Sequence, residues 1–208
     1  VHQAMIAIVD YGSGNVAAIA DIFKRLKLPY VITRDHAEMR AAERYILPGV
    51  GAFDPTMRTL GESGLVDLLN EEVHGRNKKL LGICVGMQIL GDNSDEGLMA
   101  GLGWIPGRIR RIDAAAILRR PKLPHMGWNS VRLRASSPLF EGVDLDRGFY
   151  FLHSYYFDAA DSVSVMATVK CGVELPCGVT RGNVFGLQFH PEKSHANGIA
   201  VFRNFAML

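Results

Sequence analysis

The sequence predicts an α/β fold: a mainly parallel central sheet flanked by helices, with additional antiparallel strands in the second half. Three observations predict it. In the first half, short apolar runs alternate with patterns of helical period. Glycine or proline breaks follow those runs, as at strand ends. The second half replaces helical patterns with recurrent strand-like runs. Alternating strands and helices imply right-handed crossovers and a sheet covered on both faces.

The elements follow in order. Met5–Val9 is a short apolar strand ended by Asp10–Gly14. Val16, Ile19, Ile22, Phe23 and Leu26 recur at spacings of three and four, one face of a helix that Pro29 closes. Tyr30–Thr33 and Arg44–Leu47 read as strands, the latter halted by Pro48–Gly51. Leu65, Leu68, Leu69 and Val73 mark a second helix, and Lys79–Ile83 is short enough to be a buried strand. Strand-like runs then recur at Arg108–Ile112, Met126–Leu133, Gly148–Leu152, Ser164–Val169 and Val184–Phe189, expected to extend the sheet. Ile199, Phe202, Phe205 and Ala206 suggest a closing helix. No repeat or linker interrupts the chain, so 1–208 reads as one domain, with Val1–Ala4 a short leader or tag remnant.

Composition narrows the function. The chain has 208 residues, 48% apolar and 21% charged, which excludes a disordered or fibrous protein. A net charge of +2 gives no argument for nucleic acid or an anionic membrane. No apolar run approaches the ~20 residues of a membrane span. Ala4–Val9 meets Asp10 before any signal-like apolar region develops. Cys84, Cys171 and Cys177 form no disulfide framework, which points to a reducing cytoplasm. The stretch Arg108–Arg134 carries eight basic residues against Asp113, and reads as a solvated face.

Two segments compete for the chemistry. Gly12-Ser13-Gly14-Asn15-Val16-Ala17 fits G-x-G-x-x-A between a strand and a helix, with Asp35 at about the spacing of a ribose-binding carboxylate. It reads more readily as a tight strand-to-helix turn permitted by Gly12 and Gly14. Gly82-Ile83-Cys84-Val85-Gly86 fits a nucleophile elbow with cysteine in place of serine. Small residues two before and two after the nucleophile allow close approach of neighbouring segments, and a helix starting at the elbow favours thiolate. Gln188-Phe189-His190-Pro191-Glu192 ends a later strand and shifts the balance. Its imidazole can take a thiol proton and its carboxylate can orient the ring, making Cys84, His190 and Glu192 the catalytic candidates. Cysteine and histidine spacings suit no metal, and none is expected.

These motifs resemble the class I (triad) glutamine amidotransferases. Asp10–Asn15, Leu47-Pro48-Gly49-Val50-Gly51-Ala52-Phe53, Pro124-His125-Met126-Gly127-Trp128-Asn129 and His190-Pro191-Glu192-Lys193-Ser194 are similar, more narrowly, to the glutaminase subunits of imidazole glycerol phosphate synthases. The likeness runs from about Met5 to Leu208. It implies a class I amidotransferase-like fold, no cofactor, and hydrolysis of L-glutamine to glutamate and ammonia. It implies oxyanion donors at Val85 and Val50, and substrate contacts at Gly51, Gln88, Ser154 and Tyr155. It further implies a heterodimer with a (β/α)8-barrel cyclase subunit, met by Asn15, Trp128, Tyr150 and Lys193. That subunit would use the ammonia to make imidazole glycerol phosphate and 5-aminoimidazole-4-carboxamide ribonucleotide. The resemblance gives the N-terminal glycine loop to the partner rather than to a nucleotide. Ala18 departs from it, standing where relatives often carry a polar residue. A glutaminase of the pyridoxal phosphate or purine pathway, a cysteine hydrolase or protease, and a dinucleotide-binding module built on Gly12–Ala17 are the alternatives.

Overall fold

The computed structural model describes residues 3–118, 120 and 122–208. Strands β1 (Ile6–Val9), β2 (Tyr30–Thr33), β3 (Arg44–Gly49) and β4 (Lys79–Cys84) are parallel neighbours, and β13 (Val184–Leu187) continues that parallel set beside β4. Antiparallel β12 (Val173–Arg181), β11 (Val165–Cys171) and β8 (Val131–Leu133) complete an eight-stranded sheet of order β2-β1-β3-β4-β13-β12-β11-β8. The α/β class and the mixed sheet are those the sequence predicts.

The extra strands do not all extend this sheet. β5 (Asn93–Ser94), β6 (Gly107–Arg111) and β10 (Tyr155–Ala159) form a separate three-stranded sheet. β7 (His125–Asn129) and β9 (Phe149–His153) form a two-stranded one. The expected strand Met126–Leu133 is therefore two strands in different sheets, divided at Ser130. The apolar alternation slips by one residue there, from Met126 and Trp128 to Val131 and Leu133 across the polar pair Asn129-Ser130, which marks the change of partner.

Helix α1 (Val16–Leu26) buries Ile19, Ile22 and Phe23 and ends with Lys27 in the left-handed region. α6 (His195–Met207) packs against it, with the Phe23 and Phe202 rings 5.3 Å apart. α4 (Leu65–Asn70) runs into a π turn at Glu71–Gly75, which together make the second expected helix. Two helices go beyond the sequence reading: α2 (His36–Ala41) and α3 (Phe53–Glu62). Asp35, the candidate ribose ligand, caps α2 by accepting from the Ala37 and Glu38 amides. In α3, Pro55 sits in the first turn, where its missing N–H removes no helical bond.

Of Val1–Ala4, the first two residues lie outside the described ones, and Ala4 is buried. The basic residues of that stretch fall in β6 (Arg108, Arg110, Arg111), before β7 (Arg120, Lys122) and in and just after β8 (Arg132, Arg134), with Arg119 outside the described residues. Arg108 pairs with Asp95 and Arg110 with Asp158, so part of its charge is neutralised locally. Among the described residues no helix is long and apolar enough to cross a membrane.

Candidate active site

The carboxyl ends of parallel strands are where open sheets of this kind present chemistry, and β3, β4 and β13 converge there. Cys84 ends β4 at φ +56, ψ −114, a conformation that side chains rarely adopt. The packing explains the flanking glycines. A Cβ on Gly82 would lie 2.5 Å from the Gly86 carbonyl oxygen, and one on Gly86 would lie 2.0 Å from that of Leu47. Gly49, paired with Cys84 across β3 and β4, would strike the Gly86 nitrogen at 2.4 Å. The elbow is thus wedged between two strands, and only glycine allows the approach.

The helix after the elbow is shorter than expected. α5 (Val85–Gln88) is a single turn followed by further turns, so it contributes little dipole. Side chains act on the sulfur instead. Gln188 Nε2 donates to Cys84 Sγ at 3.8 Å, and Gln88 Nε2 donates to Gln188 Oε1 at 3.0 Å. His190 donates from Nδ1 to Glu192 Oε1 at 2.8 Å, with both side chains buried, and its ring is also bonded to Cys84. Burial works against the imidazolium, but the bonds to Cys84 and Glu192 outweigh it and hold the pKa up at about 10. Two more bonds fix the His190 backbone. Its N–H donates to the Tyr150 carbonyl, and its carbonyl accepts from Ser194 Oγ at 2.6 Å. Ser194 Oγ accepts in turn from the Tyr150 N–H.

A cleft of about 350 Å³ opens over Cys84 and is lined by Val50, Gly51, Gln88, Glu96, Ser154 and Tyr155 among others. The substrate residues expected from the sequence are thereby brought to one place. Ser154 is the single residue between β9 and β10, a corner between two strands rather than a loop. Both Gln88 amide hydrogens are committed, one to Gln188 and one to the Tyr155 carbonyl at 3.4 Å. Gln88 therefore offers the cleft an acceptor oxygen.

The two expected oxyanion donors differ. Val85 N–H opens the α5 turn, where no intrahelical acceptor exists. Val50 N–H is turned to Ser13 Oγ at 3.1 Å instead of serving the cleft. The loop behind it is anchored, since Tyr11 donates its hydroxyl to the Pro48 carbonyl and Gly14 lies against the Pro48 ring. Gly49 is a packing glycine, while Gly51, at φ +95, has open space around it.

The expected interface residues lie just before α1 (Asn15), on β7 (Trp128) and β9 (Tyr150), and just beyond His190 (Lys193). Trp128 is exposed and stacks on His195 with ring centroids 5.5 Å apart. Lys193 Nζ lies 5.7 Å over the Tyr150 ring, and Lys193 also lines the cleft. Asn15 precedes α1 on the loop that carries Ser13. Met126, Leu152 and Val50 add exposed apolar surface.

Ser13, Glu96, Gln188, Ser194 and His153 have no role assigned from the sequence, yet each is bonded at or beside the cleft. Glu96 accepts the Phe53 N–H at the start of α3 and lines the cleft as a carboxylate. A polar residue two positions before His190, within an otherwise apolar run, was the available signal for Gln188. His153 is buried, donates from Nδ1 to the Tyr155 carbonyl at 2.8 Å, and burial first of all pushes its pKa down to about 3. It is neutral.

A strained cysteine elbow above a buried His–Glu pair, on a mixed sheet of this order, defines an amidotransferase-like site. The chain belongs to the class-I glutamine amidotransferase family, whose model matches residues 7–208. Within it, the chain is 48% identical over 97% of its length to the imidazole glycerol phosphate synthase subunit HisH of Bdellovibrio bacteriovorus, covering 99% of that protein. It is 43% identical over 98% of its length to the HisH subunit of Leptospira borgpetersenii, covering all of it. Solved structures share the fold. A glutamine amidotransferase superposes with a TM-score of 0.72 at 19% identity, with 98% of this chain and 99% of that one covered. PurLQS of Thermotoga maritima gives 0.70 at 20% identity, with 98% of each covered.

Proposed function

We propose that this chain is the glutaminase subunit of an imidazole glycerol phosphate synthase. It hydrolyses L-glutamine and passes the ammonia to a (β/α)8-barrel cyclase subunit, with which it forms a heterodimer in histidine biosynthesis. The observation that carries the reading is the meeting of Cys84 and His190 in one cleft, with Glu192 bonded behind His190 and Cys84 held at positive φ.

Cys84 attacks the side-chain amide carbon of glutamine as thiolate, while His190 holds the proton and Glu192 fixes its ring. The tetrahedral oxyanion collapses, His190 protonates the departing ammonia, and a thioester remains. Water, deprotonated by His190, then releases glutamate and the thiol. Val85 N–H supplies one oxyanion donor and Val50 N–H the second once it leaves Ser13. The Glu96 carboxylate and the Gln88 oxygen are acceptors suited to the substrate α-ammonium, with Ser154, Tyr155 and Gly51 enclosing that end. The exposed Trp128, Met126 and Leu152, beside Tyr150, Lys193 and Asn15, form the face that meets the barrel.

Cys84→Ser tests the assignment in the complex with the barrel subunit. Glutamine-dependent synthesis is expected to vanish, while synthesis from added ammonium persists at the wild-type rate. Retention of glutamine-dependent turnover by Cys84→Ser would overturn the role of Cys84.

A further inference from the structure

His125 and His153 are buried, face one another across the β7–β9 pair, and take no part in the chemistry above. Their hydrogen bonds form a chain whose two ends are backbone carbonyls. Asn129 Nδ2 donates to the Lys170 carbonyl at 2.9 Å and meets His125 Nε2 at 3.0 Å. His125 Nδ1 meets His153 Nε2 at 2.8 Å, and His153 Nδ1 meets the Tyr155 carbonyl at 2.8 Å.

A carbonyl oxygen only accepts, so both ends set the direction. At one end, His153 Nδ1 must carry a hydrogen. At the other, the Lys170 carbonyl fixes the Asn129 amide with its NH2 towards His125, so His125 Nε2 must accept. Each link in between then holds one hydrogen only if each ring has a single proton, on Nδ1. A second proton on either ring would bring N–H against N–H. The rings are neutral and tautomerically fixed by this count alone, and the depressed His153 value agrees with it.

We propose that His125 and His153 are positioning residues for glutamine hydrolysis, holding the Ser154–Tyr155 corner of the cleft through the Tyr155 carbonyl. The inference rests on the glutaminase reading. The Tyr155 carbonyl also accepts from Gln88, whose other hydrogen goes to Gln188, the donor to Cys84 Sγ. The relay thus ends where the substrate-binding corner joins the network of the nucleophile. Its other end lies on β7. There His125 and Asn129 alternate with Met126 and Trp128, whose side chains are exposed, Met126 being paired with the cleft-lining Leu152. The Phe151 ring stacks on His125 with centroids 4.8 Å apart and packs against one face of that ring.

The test is steady-state glutaminase kinetics of the complex with the barrel subunit, together with long-range proton–nitrogen NMR of the histidine rings in the full chain. His153→Leu removes the donor to Tyr155 and is expected to raise KM for glutamine roughly tenfold, with kcat changed less than about threefold. His153→Asn, whose amide can place an N–H near the lost Nδ1, should recover most of that increase. His125→Leu should raise KM by a smaller factor, because it acts through His153. The spectra should show both wild-type rings neutral with the hydrogen on Nδ1. An unchanged KM in His153→Leu, or an Nε2–H tautomer on His153, would overturn the proposal. If His153→Leu does not fold, the wild-type tautomers decide it. A wild-type complex without glutaminase activity would instead overturn the functional reading, an outcome distinct from activity that ignores His153.

Discussion

His190 illustrates how a few contacts set the chemistry of a single side chain. Burial alone would leave its ring neutral, yet Glu192 Oε1 at 2.8 Å and the Cys84 sulfur favour the charged form. The ring is expected to keep its second proton at neutral pH and lose it as pH rises through about 10. The folded value lies above the ordinary histidine value of 6.5, so this contribution to stability is complete below about pH 6.5 and fades as pH rises through about 10. Histidine-resolved NMR titration measures it directly. Glu192→Gln removes a negative neighbour, so the same titration should place the proton loss at lower pH. An unchanged midpoint in Glu192→Gln would show that the carboxylate does not hold the charge. Much of this was legible in the sequence, because His190, Pro191 and Glu192 are contiguous and end a strand. Gln188 and Ser13 were not, because their bonds reach 104 and 37 residues along the chain.

At the scale of elements, the glycines around the elbow make a sharp contrast with those elsewhere. Gly86→Ala would put a methyl 2.0 Å from the Leu47 carbonyl oxygen and force β3 and β4 apart. Loss of at least ~3 kcal/mol is expected, in the range of severe overpacking and strain. Gly61, inside α3 with open space where its Cβ would be, should behave in the opposite way. Gly61→Ala should stabilise the chain by ~0.5–1 kcal/mol. Urea unfolding of both variants checks the pair, and a Gly86→Ala protein as stable as wild type would refute the wedge. The elements that carry the elbow were readable because each ends in marked punctuation: Pro48-Gly49, Gly82 to Gly86, and His190-Pro191. The helix α3 was hidden by Pro55 and Gly61, two residues that ordinarily break helices. Strand β12 was hidden by Pro176 and Gly178. Pro176 is accommodated because β13 pairs only from Gly178 onward, leaving that stretch with β11 alone in the ladder. Such exceptions depend on which neighbour is absent, and a local pattern does not carry that information.

In the whole molecule the proposed nucleophile faces the cleft while one of the two proposed oxyanion donors faces elsewhere. Val50 N–H donates to Ser13 Oγ, on the loop next to Asn15, and Val50 itself is exposed at the mouth of the cleft. A docking barrel subunit that contacts Asn15 and the surface around Trp128 would therefore press on the same loop that holds this amide. An oxyanion donor is worth ~2.7–4 kcal/mol, so its absence slows turnover roughly 10²–10³-fold. The Val50 N–H lies in the Gly49–Val50 peptide, whose rotation turns on ψ of Gly49, a residue with no Cβ to clash, while Gly51, unencumbered and already at positive φ, lets the following chain absorb the change. The isolated chain is accordingly expected to be a poor glutaminase. Rates should rise with the partner and again with its ribonucleotide ligand, as each favours the turned peptide. Ser13→Ala isolates the restraint, because it deletes the acceptor that holds Val50 N–H at rest and leaves Cys84, His190 and Glu192 in place. One hydrogen bond of about 0.5–1.5 kcal/mol converts to a two- to tenfold increase in the partner-free rate. The fully activated rate should change much less, since Ser13 no longer holds the amide in that state. Glutaminase kcat for wild type and Ser13→Ala, each measured alone, with partner, and with partner plus ligand, decides the matter. Equal kcat across the three wild-type states would mean a permanently competent oxyanion site, and no rise in partner-free Ser13→Ala would mean that Ser13 is not the restraint.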